Sequence, residues 1–252
     1  METKVFTIFH TTDIHGNFNQ SKVKKLQDLL KNCDTPKILV DSGDILKGGN
    51  ILFYPVENTF KYIKLLNYTA ICLGNREFNY IRPVFYSRLK KFPFIACNLI
   101  DKKLKNQIIQ PSVHIVIEWL RITIIGITKP QYKPDHFWEK VTNFRFEYVN
   151  NSVKKEIEKY YKITDVFIIL SHLGIDDDRI LADYIFNEFS NIRNKIIILG
   201  GHDHKEFFDD KKIPIIHSHP FLQKITTLEL FFKVNKNNKI LETMEISKVE
   251  LN

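Results

Sequence analysis

Short apolar runs rich in β-branched residues recur along this chain, and five of them stop abruptly at histidine, aspartate, glycine or serine. The runs cover residues 5–9, 38–40, 70–73, 166–170 and 196–199. Without polar alternation they read as strands buried on both faces. Between them, apolar positions fall at helical spacing. Val23, Leu26, Leu29 and Leu30 predict a helix that ends before Pro36, and Phe60, Ile63 and Leu66 predict a second within residues 56–66. Phe85 and Leu89 mark a third helix after Pro83, leading to a strand around residues 94–96.

The second half continues the alternation with more β structure. Residues 113–117 and 120–127 are β-rich runs joined at Glu118 and Trp119, the pattern of a hairpin. Residues 130–144 carry two prolines and four aromatics and read as a structured loop near the strand ends. Helices at 149–161 and 179–189 feed the strands at 166–170 and 196–199. Three β runs, at 213–217, 225–234 and 240–246, close a sheet, with a turn at 235–238. This order predicts an α/β fold of two mixed sheets packed face to face with helices outside, a four-layer α-β-β-α sandwich. The polar strand ends are spread from Asp13 to His204, so any division of the chain would split them. One domain over residues 1–252 is expected.

Composition adds bounds. With 252 residues, 44% hydrophobic and 26% charged, the chain resembles an ordinary globular protein with a sizeable core. Its net charge of +8 suits anionic substrates such as phosphate esters and leaves nucleic acid open as a partner. The lysines are scattered or paired, however, and form no concentrated arm. Cys33, Cys72 and Cys97 are far apart, without a CxxC spacing, which argues against a disulfide framework and for a reducing compartment. The first residues lead straight into a strand, and no apolar run approaches the ~18 residues of a membrane span. A soluble, cytoplasmic protein with no membrane partner is the expectation, and no feature sets an oligomeric state.

The strand ends carry the chemistry. In chain order they are Asp13-Ile14-His15, Gly43-Asp44, Gly74-Asn75-Arg76-Glu77, Ser171-His172 and Gly201-His202-Asp203-His204. Ends of buried strands are where polar side chains converge in a crevice. Residues two apart on an extended segment point the same way, so Asp13 with His15 and His202 with His204 form natural pairs. Asp44 has two oxygens with which to bridge two ions, and Asn75 offers a neutral carbonyl oxygen. Two Asp, one Asn and four His suit two divalent cations of the Mn, Fe or Zn type. His10, Asp41 and Glu77 are expected to support these ligands from behind. His217 and His219 read either as lining the mouth or as an exposed strand end. His114 reads as structural, and Asp176, Asp177 and Asp178 as the cap and first turn of a helix. The loop from Gln131 to Trp138, with Tyr132, His136, Phe137 and Trp138, reads as a substrate wall or as ordinary packing.

This ordered string resembles the calcineurin-like metallophosphoesterase pattern: D-x-H, G-D, G-N-H-[DE], H, then G-H-x-H. The segments around Asp13, Asn75, His172 and His202 are most similar to the 5′-nucleotidase branch. The resemblance implies one metal held by Asp13, His15, Asp44 and His204, and a second by Asp44, Asn75, His172 and His202. It implies a bridging water or hydroxide that attacks phosphorus in line with the leaving oxygen. Two positions depart from the pattern. Arg76 stands where the family has a His that stabilises the transferring group and protonates the leaving group, and Asn79 stands where an Asp orients that His. Arginine donates no proton at working pH but clamps phosphoryl oxygens, so Asn75 and Arg76 are the expected phosphoryl contacts, with Tyr132 and His217 as further substrate contacts. The branch's additional C-terminal nucleotide-binding domain is not expected in residues 1–252. The resemblance thus implies a hydrolase of small phosphomonoesters or phosphodiesters, with nucleotide-like or cyclic nucleotide substrates. The alternatives are a nuclease of the same superfamily or a catalytically weak metal-binding regulatory module.

Overall fold

The computed structural model describes residues 2–48, 57–78, 82–89, 91–103, 106–107, 109–235 and 238–251. In chain order, β1 (Glu2–Thr11) leads through α1 (Gln20–Asn32) to β2 (Lys37–Asp41), then through α2 (Thr59–Leu66) to β3 (Ala70–Cys72). Next come α3 (Arg82–Leu89), β4 (Phe94–Ile95), β5 (Leu99–Asp101), β6 (Asn106–Gln107), β7 (Ser112–Ile117) and β8 (Leu120–Thr128). The second half runs α4 (Phe137–Thr142), β9 (Phe144–Phe146), α5 (Val149–Tyr160), β10 (Val166–His172), α6 (Ile175–Glu188) and β11 (Ile196–Gly200). It finishes with β12 (Phe207–Asp209), β13 (Ile215–His217), β14 (Lys224–Val234) and β15 (Lys239–Glu250).

These strands form two six-stranded mixed sheets, ordered β15-β14-β1-β2-β3-β4 and β12-β13-β11-β10-β8-β7. In the first, β1 to β4 run parallel and β14 returns antiparallel to β1. In the second, β8, β10, β11 and β13 run parallel, with antiparallel strands at both edges. All seven residues of β10 are buried, as its unbroken apolar run demands.

Three apolar layers hold the assembly together. Between the sheets, Phe6, Ile8 and Val40 meet Ile122, Ile168 and Leu199. Leu26 of α1, Ile63 of α2 and Phe85 of α3 cover the outer face of the first sheet. Val153 and Ile157 of α5, with Leu181 and Ile185 of α6, cover the second. Each such side chain, fully buried, stabilises by about 1.5–3 kcal/mol. The result is the expected α-β-β-α sandwich.

The structure corrects several boundaries. Helix α6 starts at Ile175, four residues before the expected Arg179, because Asp203 Oδ2 accepts the Ile175 N–H at 2.6 Å and supplies a cap from a distant turn. The expected loop at 130–144 contains α4, capped by His136 Nδ1 accepting the Trp138 N–H. A small third sheet, β6-β5-β9, and the edge strand β12 were not expected, since two- and three-residue strands carry no readable period. Among the described residues no helix is long and apolar enough to cross a membrane.

Candidate metal centre

The parallel strands of both sheets end at one edge, and the turns beyond them bring the expected ligands together. Asp13, His15, Asp44 and His204 each offer an atom within 4.8 Å of the others. His15 Nε2 lies 2.9 Å from His204 Nε2 and 3.7 Å from Asp44 Oδ2. His204 Nε2 is 3.5 Å from Asp13 Oδ1. A second group adjoins it through Asp44. His172 Nε2 is 3.4 Å from Asp44 Oδ1, its ring centroid is 5.1 Å from that of His202, and His202 Nδ1 is 3.3 Å from Asn75 Nδ2.

The backbone aims these side chains through unusual turns. Asp13, His15, Asp44, His202 and His204 all have φ between 50° and 90°, the left-handed region that L residues seldom adopt. Each such residue costs on the order of 1–3 kcal/mol and persists where surrounding bonds over-determine it. Here the bonds are explicit. Asp13 N–H donates to Gly43 O and His15 N–H to Asp44 O, which stitches the first turn to the second. The His202 N–H donates to both oxygens of Asp13, at 3.2 and 3.0 Å. Asp203, between the two His, points instead to the start of α6. Gly74 fits because an added Cβ would lie 2.3 Å from Asp44 N and 2.4 Å from Asp44 Oδ1.

The supporting residues are buried and fully engaged. Glu77 accepts N–H bonds from Asp44 (2.9 Å), Leu46 (2.8 Å) and Gly74 (2.7 Å), and so organises both ligand turns. Asp41 accepts from Gly43 N–H at 2.8 Å and Thr11 Oγ1–H at 2.7 Å. His10 lies between Ser42 and Ser218. Ser42 Oγ donates to Leu199 O at 2.6 Å, so it accepts from His10 Nε2–H at 2.8 Å, and His10 Nδ1 accepts from Ser218 Oγ at 2.6 Å. The carbonyl of the same Ser42 receives His172 Nδ1–H at 2.8 Å. That bond orients the His172 ring and turns Nε2 towards the cleft. Asn79 lies outside the described residues.

Charge follows the geometry. Burial would raise the Asp44 carboxyl, but His172, the Arg76 N–H and His15 hold it below its ordinary range. Burial opposes a charged His172, yet the Asp44 carboxylate, with Asp13 and Glu77 nearby, lifts it to about 9. Burial lowers His15, helped by His204 against the pull of Asp44, and lowers His202, helped by His172. Burial and Asp44 push Glu77 up to about 8 against its backbone bonds, and burial raises Asp41. Burial and the nearby His217 lower His10 to about 3.

These residues fit cations. His172 Nε2 is buried and, among the described residues, has no hydrogen-bond donor facing it. With Nδ1–H committed to Ser42, Nε2 faces Asp44 Oδ1 at 3.4 Å, in a position where the carboxylate favours positive charge. His15 Nε2 and His204 Nε2 lie 2.9 Å apart, close enough for one cation to meet both. Imidazole nitrogens and carboxylate oxygens converging in this way make a donor set for divalent cations.

Arg76 is exposed beside this cluster. Its backbone N–H donates to Asp44 Oδ1, its Cδ lies where a Cβ on Gly48 would meet it at 2.8 Å, and its charge lowers His15. One expected substrate contact is corrected. His217 is only 2% exposed and bonds through Nε2 to Asp178 Oδ2 at 2.8 Å, so it does not reach the mouth. The Tyr132 hydroxyl is engaged by Thr142 Oγ1 and Phe144 O, at 2.7 and 2.8 Å, while its ring meets Phe146 and stacks with His136 at 5.8 Å. The sequence reading missed three neighbours. Gln131 Nε2 donates to Asn75 Oδ1 at 3.0 Å, Lys129 sits beside His202 while bonded to Leu173 O, and Asp178 is a buried clamp between Ser171 and His217. Lys129 and Gln131 follow a strand end and were findable by that rule; Asp178 gave no signal within its acidic run.

A four-layer sandwich whose strand ends gather carboxylates, imidazoles and an amide around one cleft has the architecture of the metallophosphoesterases. The chain belongs to the calcineurin-like phosphoesterase family, whose pattern matches residues 6–206. An apyrase of Aedes albopictus is 25% identical over 284 residues, covering 90% of this chain and 48% of the relative. A 2′,3′-cyclic-nucleotide 2′-phosphodiesterase/3′-nucleotidase of Salmonella typhimurium is 26% identical, covering 79% of this chain and 37% of the relative. The chain therefore spans less than half the length of these curated relatives. The calcineurin-like phosphoesterase YfkN of Bacillus subtilis shares the fold at a TM-score of 0.79 and 19% identity, covering 99% of this chain and 92% of that one. The 5′-nucleotidase precursor of Thermus thermophilus matches at 0.76 and 18% identity, covering 98% of this chain and 54% of that one.

Proposed function

We propose that the chain is a metal-dependent hydrolase of small phosphoesters, with nucleotides or cyclic nucleotides as its substrate class. The observation that carries this reading is the sharing of Asp44: one oxygen faces His15 and the other faces His172, so two ligand groups meet at a single carboxylate. Asp13, His15, Asp44 and His204 would hold one divalent cation, and Asp44, Asn75, His172 and His202 a second, of the Mn, Fe or Zn type. Such a pair of cations, when bound, lowers the pKa of a water held between them and neutralises phosphoryl oxygens.

The chain's own residues do the rest. Glu77 and Ser42 hold the ligand turns, so the donors are placed before substrate arrives. Arg76 binds phosphoryl oxygens and stabilises the charge that develops on them. It carries no transferable proton, so the leaving oxygen departs unassisted by this residue and substrates with acidic leaving groups are favoured. The nucleotide class draws support from the names of the apyrase and cyclic-nucleotide phosphodiesterase relatives. Ligands drawn from both sheets support one folding unit across residues 1–252.

The test is hydrolysis of para-nitrophenyl phosphate and bis-para-nitrophenyl phosphate by metal-stripped chain reloaded with Mn²⁺, beside Asp44→Asn. Turnover that needs both the ion and Asp44 supports the enzyme, and the monoester-to-diester ratio sets the preference. Two bound equivalents without turnover on either substrate would instead favour a binding module, with the Arg76 replacement as the reason.

A further inference from the structure

Of Asp13, His15, Asp44 and His204, His204 is the one most open to solvent, with 39% of its side chain exposed. It follows the last turn of the site and has a left-handed backbone of its own. Its ring needs a support, and the chain supplies one from an unexpected place. Phe221, between β13 and β14, packs its ring edge-on to His204 at 5.2 Å between centroids and tilted against His15 at 5.6 Å. The two imidazoles meet each other edge-on at 4.7 Å, so the three rings form one cluster.

The backbone of Phe221 is fixed to the same group. Its N–H donates to Asp13 O at 2.9 Å, and its carbonyl accepts from Lys22 Nζ of α1 at 3.1 Å. Phe221 and Leu222 are consecutive residues with φ 61° and 51°, and Leu222 is buried beneath them. Two successive left-handed non-glycine residues are costly, and such a turn survives where its outcome is selected. The outcome here is a half-buried aromatic ring held against both imidazoles of one ligand group and against the backbone of its aspartate. Among the described residues no aromatic ring comparable to Phe221 packs on His202, whose ring meets His172, with Asn75 and Lys129 nearby.

We infer that Phe221 is a positioning residue for the His15–His204 pair: it fixes both imidazole rings from outside and so sets the ion affinity of that group and not of the His172–His202 group. The inference rests on the ligand reading given above. An apolar residue suits the task because it restrains the rings without competing for the ion through a donor atom of its own. Removing partners that hold ligands typically lowers ion affinity by about 10–100-fold.

The experiment uses the full chain and the variants Phe221→Ala, Phe221→Leu and Phe221→Tyr. Side-chain relaxation of ¹⁵N-labelled histidines in the metal-free protein reads ring order directly, and Mn²⁺ titration reads affinity. In Phe221→Ala, His15 and His204 should lose ring order while His172 and His202 keep theirs. One of two Mn²⁺ equivalents should weaken by about 10–100-fold, and Phe221→Tyr should restore both readouts. The loss should vanish in a His204→Ala background and persist in a His172→Ala background. If Phe221→Ala fails to fold, Phe221→Leu gives the same comparison with a shorter side chain that lacks a flat ring. Unchanged ring order in either folded variant would overturn the role of Phe221, as would equal weakening of both equivalents. A wild-type chain that binds no Mn²⁺ would overturn the ligand reading, while ring order would still decide whether Phe221 holds the two imidazoles.

Discussion

The backbone N–H of Arg76 donates to Asp44 Oδ1 at 2.7 Å, so position 76 anchors the shared carboxylate through its main chain, while its exposed side chain carries a charge felt by His15. Substitution at this position should change the chemistry and spare the ligand geometry. Arg76→Ala should lower turnover of para-nitrophenyl phosphate by about 10²–10³-fold, the usual effect of losing one charge-stabilising group. Arg76→His should raise turnover of alkyl phosphates relative to the nitrophenyl ester, because a protonated imidazole assists poor leaving groups. Both variants should bind Mn²⁺ as the wild type does. A flat leaving-group dependence across the two would count against the assigned role.

Gly74→Ala probes the contact between the Asn75 turn and Asp44. The added methyl would sit 2.3 Å from Asp44 N and 2.9 Å from Glu77 Oε2, so the two turns must separate. Overpacking of this kind destabilises by about 1–3 kcal/mol. The melting temperature should fall by about 2–4 °C for each of those kcal/mol, and Mn²⁺ titration should show both equivalents weakened, since Asp44 belongs to both groups. A variant that melts lower but binds both ions normally would separate folding from the site.

Ser42→Ala removes the hydroxyl that joins His10 to Leu199 while leaving the carbonyl that receives His172. The loss leaves His10 Nε2–H buried without its acceptor, at a cost of about 1–3 kcal/mol in urea unfolding. His172 should keep its Nδ1–H bond to the Ser42 carbonyl, because that partner is the backbone, and a chemical-shift assignment of its ring nitrogens would show this.

His10 should make the protein sensitive to acid. Its folded value of about 3 lies below the ordinary 6.5, so the unfolded chain takes up the proton first as pH falls. The stability it contributes is fully present above about pH 6.5 and is lost progressively as pH drops towards 3, by about 1.4 kcal/mol per pH unit. Urea midpoints measured from pH 7 to pH 4 should fall more steeply for the wild type than for His10→Gln. Parallel slopes would contradict the buried neutral imidazole.

Much of this was legible from residue order. An apolar run such as residues 166–170 announces a doubly buried strand, and the polar residue that ends it, His172, is thereby placed at the sheet edge. Gly200 shows where that rule stops. It pairs with Ser171 on one side and His217 on the other, and Asp178 reaches across it to bond both. A Cβ there would lie 2.1 Å from His217 Nε2. Strand register alone creates that arrangement, and no local spacing encodes it, which is why His217 reads as a mouth residue in the sequence and is buried in the fold. Phe221 is hidden for the same reason: its turn looks like any link between two β runs until Asp13 is placed beside it.

The left-handed turns at Asp13, His15, Asp44, His202 and His204 also bear on protein engineering. A designer who copied only the ligand side chains onto regular strand ends of another sheet would obtain the right chemical groups at the wrong angles. Grafting this centre means transplanting its loops, main chain included, together with the buried acid that ties them down. For the same reason, stepwise side-chain replacement on a flat sheet offers laboratory evolution no short route to such a site, whereas swapping whole strand-end loops between related sandwiches does.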